Sequence, residues 1–232
     1  MSADFFILGM PLNEKTAPAT PIVKILEPCS IIIGESRRIT ERLISRVNLR
    51  SDAKVFYLDN QSPHDKKALL HELWTLSKSQ GMACLFSDMG MPILFDPGKE
   101  LLEEVRNLSF KIRCLPGPTS WGTACALSGW SPPFLLIGFL SPKAEERLRE
   151  LAELSRASGH IVLMDTPYRF QALLKDCNQV FGSQHQGFLA WEIGMPEETY
   201  LWGSLKEIEQ KAAEKNLKKG EFILLLRKPG VK

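Results

Sequence analysis

Apolar and polar positions alternate along the chain in a pattern that predicts strands and helices in turn. Short apolar runs rich in β-branched residues predict strands, and apolar residues spaced three or four apart predict amphipathic helices. In the first half we predict strands at residues 5–9, 30–34, 54–58, 82–86 and 110–115, with helices at residues 21–26, 36–48, 65–79 and 99–108 and a fifth ending at Leu127. This alternation indicates an α/β fold with a mostly parallel sheet.

A run of turn-forming residues divides the chain near residue 130. Residues 128–133 contain Gly129, Pro132 and Pro133, and a new apolar strand begins directly after them. We therefore expect an N-terminal α/β domain of residues 1–130 and a C-terminal α/β domain of residues 131–232. In the second half we predict strands at residues 134–139, 160–164, 187–191, 199–202 and 221–226, and helices at residues 142–156, 168–180 and 205–214.

The composition is that of an ordinary globular protein, with 44% hydrophobic and 24% charged residues among 232. No apolar run approaches the ~20 residues that span a bilayer, and the N-terminus lacks a signal-peptide pattern. We expect a cytoplasmic protein that does not associate with membranes. Five cysteines and four histidines show no metal-ligand or disulfide spacing. Cys84 and Cys114 lie within apolar runs and are expected to be buried. The net charge of +2 does not by itself indicate nucleic-acid binding.

One polar loop stands out as a candidate ligand site. Residues 87–98 follow a buried strand, precede a helix, and contain two Asp, two Gly and two Pro. Loops at the carboxyl ends of strands are where ligands bind in open α/β sheets. The alternative is that Asp88 and Asp96 are turn and cap residues, and for Asp96 we favour the cap of the following helix.

Five motifs in this order resemble the tetrapyrrole methylase superfamily, in the form carried by the 16S rRNA 2′-O-ribose cytidine methyltransferases. They cover the loop at residues 87–98, Leu-Pro-Gly-Pro at 115–118 with Ala-Leu-Ser-Gly at 126–129, Gly-Phe-Leu at 138–140 with Lys143 and Arg147, Asp-Thr-Pro-Tyr-Arg at 165–169, and Lys-Gly-Glu at 219–221. The order and spacing hold from about residue 5 to residue 227.

The resemblance implies an S-adenosylmethionine-dependent methyltransferase of two α/β domains, with the cofactor in the cleft between them and no metal. It also implies a homodimer and, as a partner, ribosomal RNA or the small ribosomal subunit. The cofactor contacts carried over from the family fall on Leu12, Asp88, Met89, Gly90, Met91, Ile93, Thr119, Ser120, Asp165, Glu192 and Ile193. Met89 and Met91 would pack against the adenosine, or belong to the core.

The chain departs from the family's pattern at three places that concern the substrate. The first loop, residues 9–13, and residues 35–38 differ from the usual motifs, and Trp191 and Met195 stand where the family usually has basic residues. The chain ends at Lys232, and we expect it to lack the small C-terminal helical domain of the ribosomal RNA enzymes.

Glu35 and Arg37 are the candidate catalytic residues. Glu35 would accept or orient the proton of a ribose hydroxyl, and Arg37 would hold a phosphate. Equally, Glu35 would simply pair with Arg37 or Arg38 at the start of a helix, where a carboxylate is favoured. A ridge of Arg38, Arg42, Arg46 and Arg50 would track an RNA backbone, or form an ordinary solvated helix face.

Three functions remain open at this point. The first is methylation of a ribose 2′-hydroxyl of ribosomal RNA. The second is methylation of a small tetrapyrrole-type ring, which would require a deep apolar trough. The third is a non-catalytic RNA- or ribosome-binding protein that retains the fold, an alternative suggested by the missing basic residues.

Overall fold

The structure, a computed structural model, describes residues 3–230. It consists of two compact units that divide between Thr119 and Ser120, each built around its own five-stranded sheet. Within residues 3–230 there is no helix long and apolar enough to cross a membrane.

The first unit is a parallel sheet whose strands are connected by helices. Its elements are β1 (Asp4–Leu8), α1 (Thr20–Leu26), β2 (Ile31–Gly34), α2 (Arg37–Ile44), β3 (Lys54–Tyr57), α3 (Pro63–Ser77), β4 (Met82–Phe86), α4 (Lys99–Asn107) and β5 (Lys111–Leu115). The strand order is β3-β2-β4-β1-β5, and every neighbouring pair is parallel. The carboxyl ends of all five strands therefore lie along one edge.

Both faces of the central strands are buried, as expected for a parallel sheet. Phe5, Ile33 and Leu85 belong to the core on one face, where α3 and α4 contribute Leu73 and Val105. A second core on the other face contains Leu8, Ile32 and Cys84, together with Leu26 of α1 and Leu43 of α2. These contacts fix the strand ends on which the loops of the candidate site are mounted.

The second unit has a mixed sheet. Its elements are α5 (Ser120–Ser128), β6 (Phe134–Gly138), α6 (Ala144–Leu154), β7 (His160–Asp165), α7 (Phe170–Phe181), β8 (Gln186–Trp191), β9 (Thr199–Ser204), α8 (Leu205–Glu214) and β10 (Phe222–Leu226). The strand order is β6-β7-β10-β8-β9; β6 and β7 are parallel, and the other three pairs are antiparallel. The expectation of a mostly parallel sheet is therefore correct for the first unit and wrong for the second.

The division between the two units lies before residue 130, the predicted domain boundary. It falls between Thr119 and Ser120, so α5 belongs to the second unit. The reason is packing: α5 contacts β7, β8 and β10, and its Ala124 lies in a core with Val162 and Ile223. The turn at residues 128–133 is thus a loop within the second unit.

Cys84 is buried as predicted, but Cys114 is exposed. Cys114 lies on β5, which is the edge strand of the first sheet and is exposed from Lys111 to Cys114. An apolar run alone does not distinguish an edge strand from a central one.

Candidate functional site

The loops after β1, β4 and β5 meet at the carboxyl edge of the first sheet. The Met10 N–H donates to the Gly90 carbonyl at 2.7 Å, and the Gly90 N–H donates to the Pro11 carbonyl at 3.4 Å. The Gly117 N–H donates to the Met91 sulfur at 3.2 Å. The loop of residues 87–98 is therefore fastened to both neighbouring loops.

Two of these loops approach so closely that only glycine fits. A Cβ placed on Gly9 would lie 2.3 Å from the Gly117 nitrogen, and one placed on Gly117 would lie 2.6 Å from the Gly9 Cα. Real Cβ atoms do not approach so closely, so the loops after β1 and β5 touch backbone to backbone. The two loops thus form a closely packed backbone surface beside the Met91 side chain.

The loop of residues 87–98 has an unusual backbone. Gly90 and Gly98 have positive φ angles of 71° and 126°, and the non-glycine residues Ile93 and Phe95 also have positive φ, at 80° and 69°. A β-branched residue in this region is strained, and strain of this kind concentrates at functional sites. Hydrogen bonds to neighbouring loops hold the conformation. The strain supports the prediction that this loop binds a ligand.

Glu35 and Asp88 join the loops after β2 and β4 by reciprocal hydrogen bonds. The Asp88 N–H donates to Glu35 Oε2 at 3.0 Å, and the Ser36 N–H donates to Asp88 Oδ1 at 3.1 Å. The Ser36 hydroxyl in turn accepts from the Ile39 N–H and caps α2. Thus Glu35, a candidate catalytic residue, lies next to the predicted cofactor loop.

Asp96 is part of the same carboxylate group, and the prediction that it caps the following helix was wrong. The N-cap of α4 is Gly98, which makes no side-chain cap bond. Burial, together with the neighbouring Glu35 and Asp88 carboxylates, raises the pKa of Asp96 to about 7, against the opposing bond from Ser87. Asp96 can therefore exchange a proton near neutral pH, and its carboxyl lies in the negative field of Glu35 and Asp88.

The pKa of Glu35 is also raised, chiefly by burial. The nearby carboxylates of Asp88 and Asp59 add to this effect, and the hydrogen bond from the Asp88 N–H opposes it. A carboxylate with a raised pKa is a stronger base.

The predicted arginine partners of Glu35 are engaged elsewhere, so that alternative was wrong. Arg37 is 73% exposed and pairs with Glu41 at 2.8 Å. Arg38 and Arg42 both pair with Glu14, in the loop after β1, at 2.9 Å. This role of Glu14 was not predictable from local pattern, because its partners are more than twenty residues away. The arginine ridge is therefore partly neutralised and ties α2 to the loop after β1.

The other predicted cofactor residues of the first unit surround the same loop. A Cβ on Gly90 would lie 3.4 Å from the Leu12 side chain and from the Pro118 carbonyl, so Leu12 lies against Gly90. Met89 and Met91 are partly buried, and Ile93 packs on the core under the loop. Thr119 ends the loop after β5. Leu12, Glu35 and the predicted residues of the loop at 87–98 thus lie together at this edge.

Asp165 lies at the carboxyl end of β7 and is the most informative predicted residue of the second unit. Its side chain is buried; Oδ1 accepts from the Thr166 N–H at 2.7 Å and pairs with Arg169 at 3.3 Å. Oδ2 is buried without a hydrogen-bond partner among residues 3–230. Burial raises the pKa of Asp165. A buried carboxylate oxygen without a partner is costly, so this atom suits a ligand that donates a hydrogen bond.

Glu192 and Ile193 follow β8 at the same edge as Asp165, because Phe222 of β10 pairs with both Asp165 and Trp191. Glu192 has a positive φ of 51°, and its Oε1 accepts from the Glu221 N–H at 2.6 Å. Ile193 packs against the core. Their side chains are thus engaged within the unit. Ser120, the remaining predicted residue, is the first residue of α5.

Trp191, which stands at a usually basic family position, is a core residue. It is 4% exposed and contacts Phe170 edge-on at 5.1 Å between ring centroids. It also stacks on Phe222 at 6.3 Å. Residue 191 is therefore a core position in this unit, and an apolar side chain stands there instead of a basic one.

Comparison with known proteins identifies the family. The sequence profile described as Tetrapyrrole (Corrin/Porphyrin) Methylases matches residues 22–209. The chain belongs to this family. The predicted fold, family and methyltransferase class are thereby confirmed.

The similar proteins of known sequence include two bacterial relatives, both named Ribosomal RNA small subunit methyltransferase I. The relative from Leptospira borgpetersenii is 32% identical over 188 residues, covering 79% of this chain and 72% of the relative. The relative from Mycoplasmopsis pulmonis is 27% identical over 223 residues, covering 96% and 97%.

Solved structures of other methyltransferases share the fold at low identity. A cobalt precorrin-4 methyltransferase is 14% identical with a TM-score of 0.65, covering 95% of this chain and 93% of that one. A uroporphyrin-III C-methyltransferase from Thermus thermophilus, complexed with S-adenosyl homocysteine, is 14% identical with a TM-score of 0.62, covering 96% and 97%. At this identity the likeness concerns the fold.

Proposed function

We propose that this protein transfers a methyl group from S-adenosylmethionine to RNA of the small ribosomal subunit, with a ribose 2′-hydroxyl as acceptor. The main support is the relative from Mycoplasmopsis pulmonis, a ribosomal RNA small subunit methyltransferase aligned over 96% of this chain and 97% of its own length. The ribose as acceptor follows from the resemblance of the five motifs to the 2′-O-ribose branch.

The residues present fit a cationic nucleoside cofactor. The carboxylates of Glu35, Asp88 and Asp96 give the first unit a negative field suited to a positive charge. In the second unit, the unpartnered Oδ2 of Asp165 would accept a hydrogen bond from a hydroxyl or amino group. When bound, S-adenosylmethionine supplies an electrophilic methyl group on its sulfonium. The chain's own task is then to orient the acceptor and to remove its proton.

We assign Glu35 as the base that accepts the proton of the acceptor hydroxyl. Its Oε2 is held by the Asp88 N–H, which fixes the carboxylate beside the loop of residues 87–98. The other oxygen, Oε1, would accept the hydrogen bond from the hydroxyl, and the raised pKa makes this carboxylate a better base. Arg37 is exposed at the start of α2 and would exchange its contact with Glu41 for a phosphate.

A homodimer and a cytoplasmic location complete the proposal. The homodimer rests on the family resemblance, and the location rests on the proposed ribosomal RNA substrate. Light scattering on the purified protein would test the dimer; a monomer at micromolar concentration would contradict it.

Two experiments test the function. Calorimetry with S-adenosylmethionine should show binding, and no binding at millimolar ligand would overturn the proposal. Incubation with labelled S-adenosylmethionine and either small ribosomal subunits or uroporphyrinogen should then label the RNA. Label in the ring would favour a tetrapyrrole methylase, and binding without transfer to either acceptor would favour a non-catalytic protein.

A further inference from the structure

Two exposed aromatic rings lie where β6 and β7 end in the second unit. Tyr168, three residues beyond β7, is 74% exposed, and Phe139, which directly follows β6, is 48% exposed. Because β6 and β7 are parallel neighbours, both rings stand at the same edge of the sheet. Aromatic rings this exposed bury apolar area when a partner binds.

The backbone that carries the rings is held by two arginines. Arg169, next to Tyr168, donates to the carbonyls of Leu140 and Ser141 at 3.0 and 2.7 Å, which ties the segment after Phe139 to the segment after Tyr168. Arg147 donates to the Ser141 carbonyl at 3.1 Å and forms a buried ion pair with Asp176 at 2.6 Å. The rings therefore project from a fixed frame, which lowers the entropy cost of binding.

A lysine adds positive charge to the edge. The Lys219 ammonium lies 4.3 Å from the centroid of the Tyr168 ring. The next residue, Gly220, is closely packed: a Cβ there would lie 2.4 Å from the Glu192 carboxylate and 2.5 Å from the Trp191 ring. In the part of the chain that the structure describes, no carboxylate forms an ion pair with Lys219. Lys219 thus places a positive charge over the exposed Tyr168 ring.

We propose that Tyr168, Phe139 and Lys219 form a base-stacking surface that holds unpaired nucleotides of the RNA substrate. Exposed aromatic rings stack bases of any sequence, and an adjacent cation pairs with the phosphate of the same strand. This inference rests on the proposed function and adds to it the single-stranded form of the RNA that is recognised. The three residues belong to the second unit, whereas Glu35 and the loop of residues 87–98 belong to the first.

The test compares Tyr168→Ala and Tyr168→Phe in the full chain. We expect Tyr168→Ala to weaken binding of a single-stranded oligoribonucleotide by roughly 10-fold and to raise the KM for small ribosomal subunits, with kcat unchanged. Tyr168→Phe keeps the ring and should bind like the wild type. Lys219→Gln should reduce the slope of log affinity against log salt by about 1.

The chain offers a matched control on α3. Trp74 is 48% exposed, and the Lys78 ammonium lies 3.0 Å from its ring centroid. Trp74→Ala removes an exposed ring with a cation over it, and should leave RNA binding unchanged. Equal losses in Trp74→Ala and Tyr168→Ala would mean that exposed rings bind RNA nonspecifically and would overturn the inference.

The outcomes also separate this inference from the proposed function. If the wild type methylates small subunits while Tyr168→Ala has unchanged affinity and KM, the stacking surface is wrong and the function stands. If the wild type neither binds the oligoribonucleotide nor methylates the subunits, the proposed function fails, and the inference fails with it. Calorimetry with S-adenosylmethionine on each variant should give the wild-type affinity and so establish that the fold is intact.

Discussion

The carboxylate of Glu35 accepts a hydrogen bond at 3.0 Å from the backbone N–H of Asp88, fifty-three positions along the chain. The Asp88 carboxylate in turn accepts a hydrogen bond from the backbone N–H of Ser36 at 3.1 Å. This exchange places the proposed proton acceptor beside the proposed cofactor loop, so that methyl donor and acceptor would meet at one edge of the first sheet.

Glu35→Gln tests the role of this carboxylate. The amide oxygen can still accept from the Asp88 N–H, so the loop should keep its shape, while the proton acceptor is lost. We expect kcat for RNA methylation to fall about 100-fold with cofactor affinity unchanged. Wild-type kcat should fall as the pH drops through the raised pKa of Glu35, because the protonated carboxyl cannot accept a proton. A fully active Gln variant would show that the proton leaves by another route.

Arg37→Ala tests the proposed phosphate contact. Arg37 is 73% exposed and pairs only with its helical neighbour Glu41 among the ion pairs of the described chain, so thermal unfolding should be unaffected. The KM for small ribosomal subunits should rise several-fold at low salt, and less at high salt. Arg149→Ala is the control, since Arg149 is 74% exposed and also pairs with a helical neighbour, Glu145. A similar rise in KM for both variants would argue against a specific contact at Arg37.

Asp96 should make the protein less stable as the pH rises. Its pKa of about 7 in the folded chain exceeds the ~3.9 of an unfolded aspartate, so the folded state holds the proton more tightly. Its contribution to stability therefore declines between about pH 4 and pH 7 and stays low above that. Without ligand, Asp96→Asn should be about 2 kcal/mol more stable than the wild type at pH 8, after allowance for partial exposure, and equally stable near pH 4.

Chemical denaturation at the two pH values measures this difference. Asp52→Asn serves as the control, because the bond from Arg50 lowers the pKa of Asp52 and its removal should not stabilise the protein at pH 8. If Asp96→Asn is no more stable than the wild type at pH 8, burial and the Glu35 and Asp88 carboxylates do not raise the pKa of Asp96.

Gly90→Val should abolish cofactor binding while the protein remains folded. Gly90 has a φ of 71° and lies against Leu12 and the Pro118 carbonyl. Gly129 has the same φ of 71° with no atom within 4 Å of its Cβ position. Gly129→Val therefore carries the same backbone strain without crowding the loop, and should keep its affinity in calorimetry. Unchanged affinity in Gly90→Val would refute the placement of the cofactor against this loop.

Much of the fold follows from local pattern, because the apolar spacing reports directly which residues are buried. The three isoleucines of β2 are all buried, and α8 spans the predicted residues 205–214. The edge position of β5, and with it the exposure of Cys114, depends on strand order, which no local pattern contains. The assignment of α5 to the second unit likewise depends on long-range packing.

In the candidate site, local pattern identified the loop that follows a strand. It did not identify contacts between residues that are distant in the sequence. The loop at residues 87–98 was recognisable from its composition. The role of Asp96 was not, because Gly98 with its φ of 126° becomes the cap and leaves Asp96 facing Glu35 and Asp88. The bonds from Arg38 and Arg42 to Glu14 arise only when α2 packs beside the loop after β1.

The most direct test is nucleoside mass spectrometry of RNA from small ribosomal subunits incubated with the protein and isotope-labelled S-adenosylmethionine. We expect a labelled 2′-O-methylated nucleoside in the wild-type reaction and its loss with Glu35→Gln. Label on a base instead of a ribose, or no label in RNA from a protein that binds the cofactor, would contradict the proposed function.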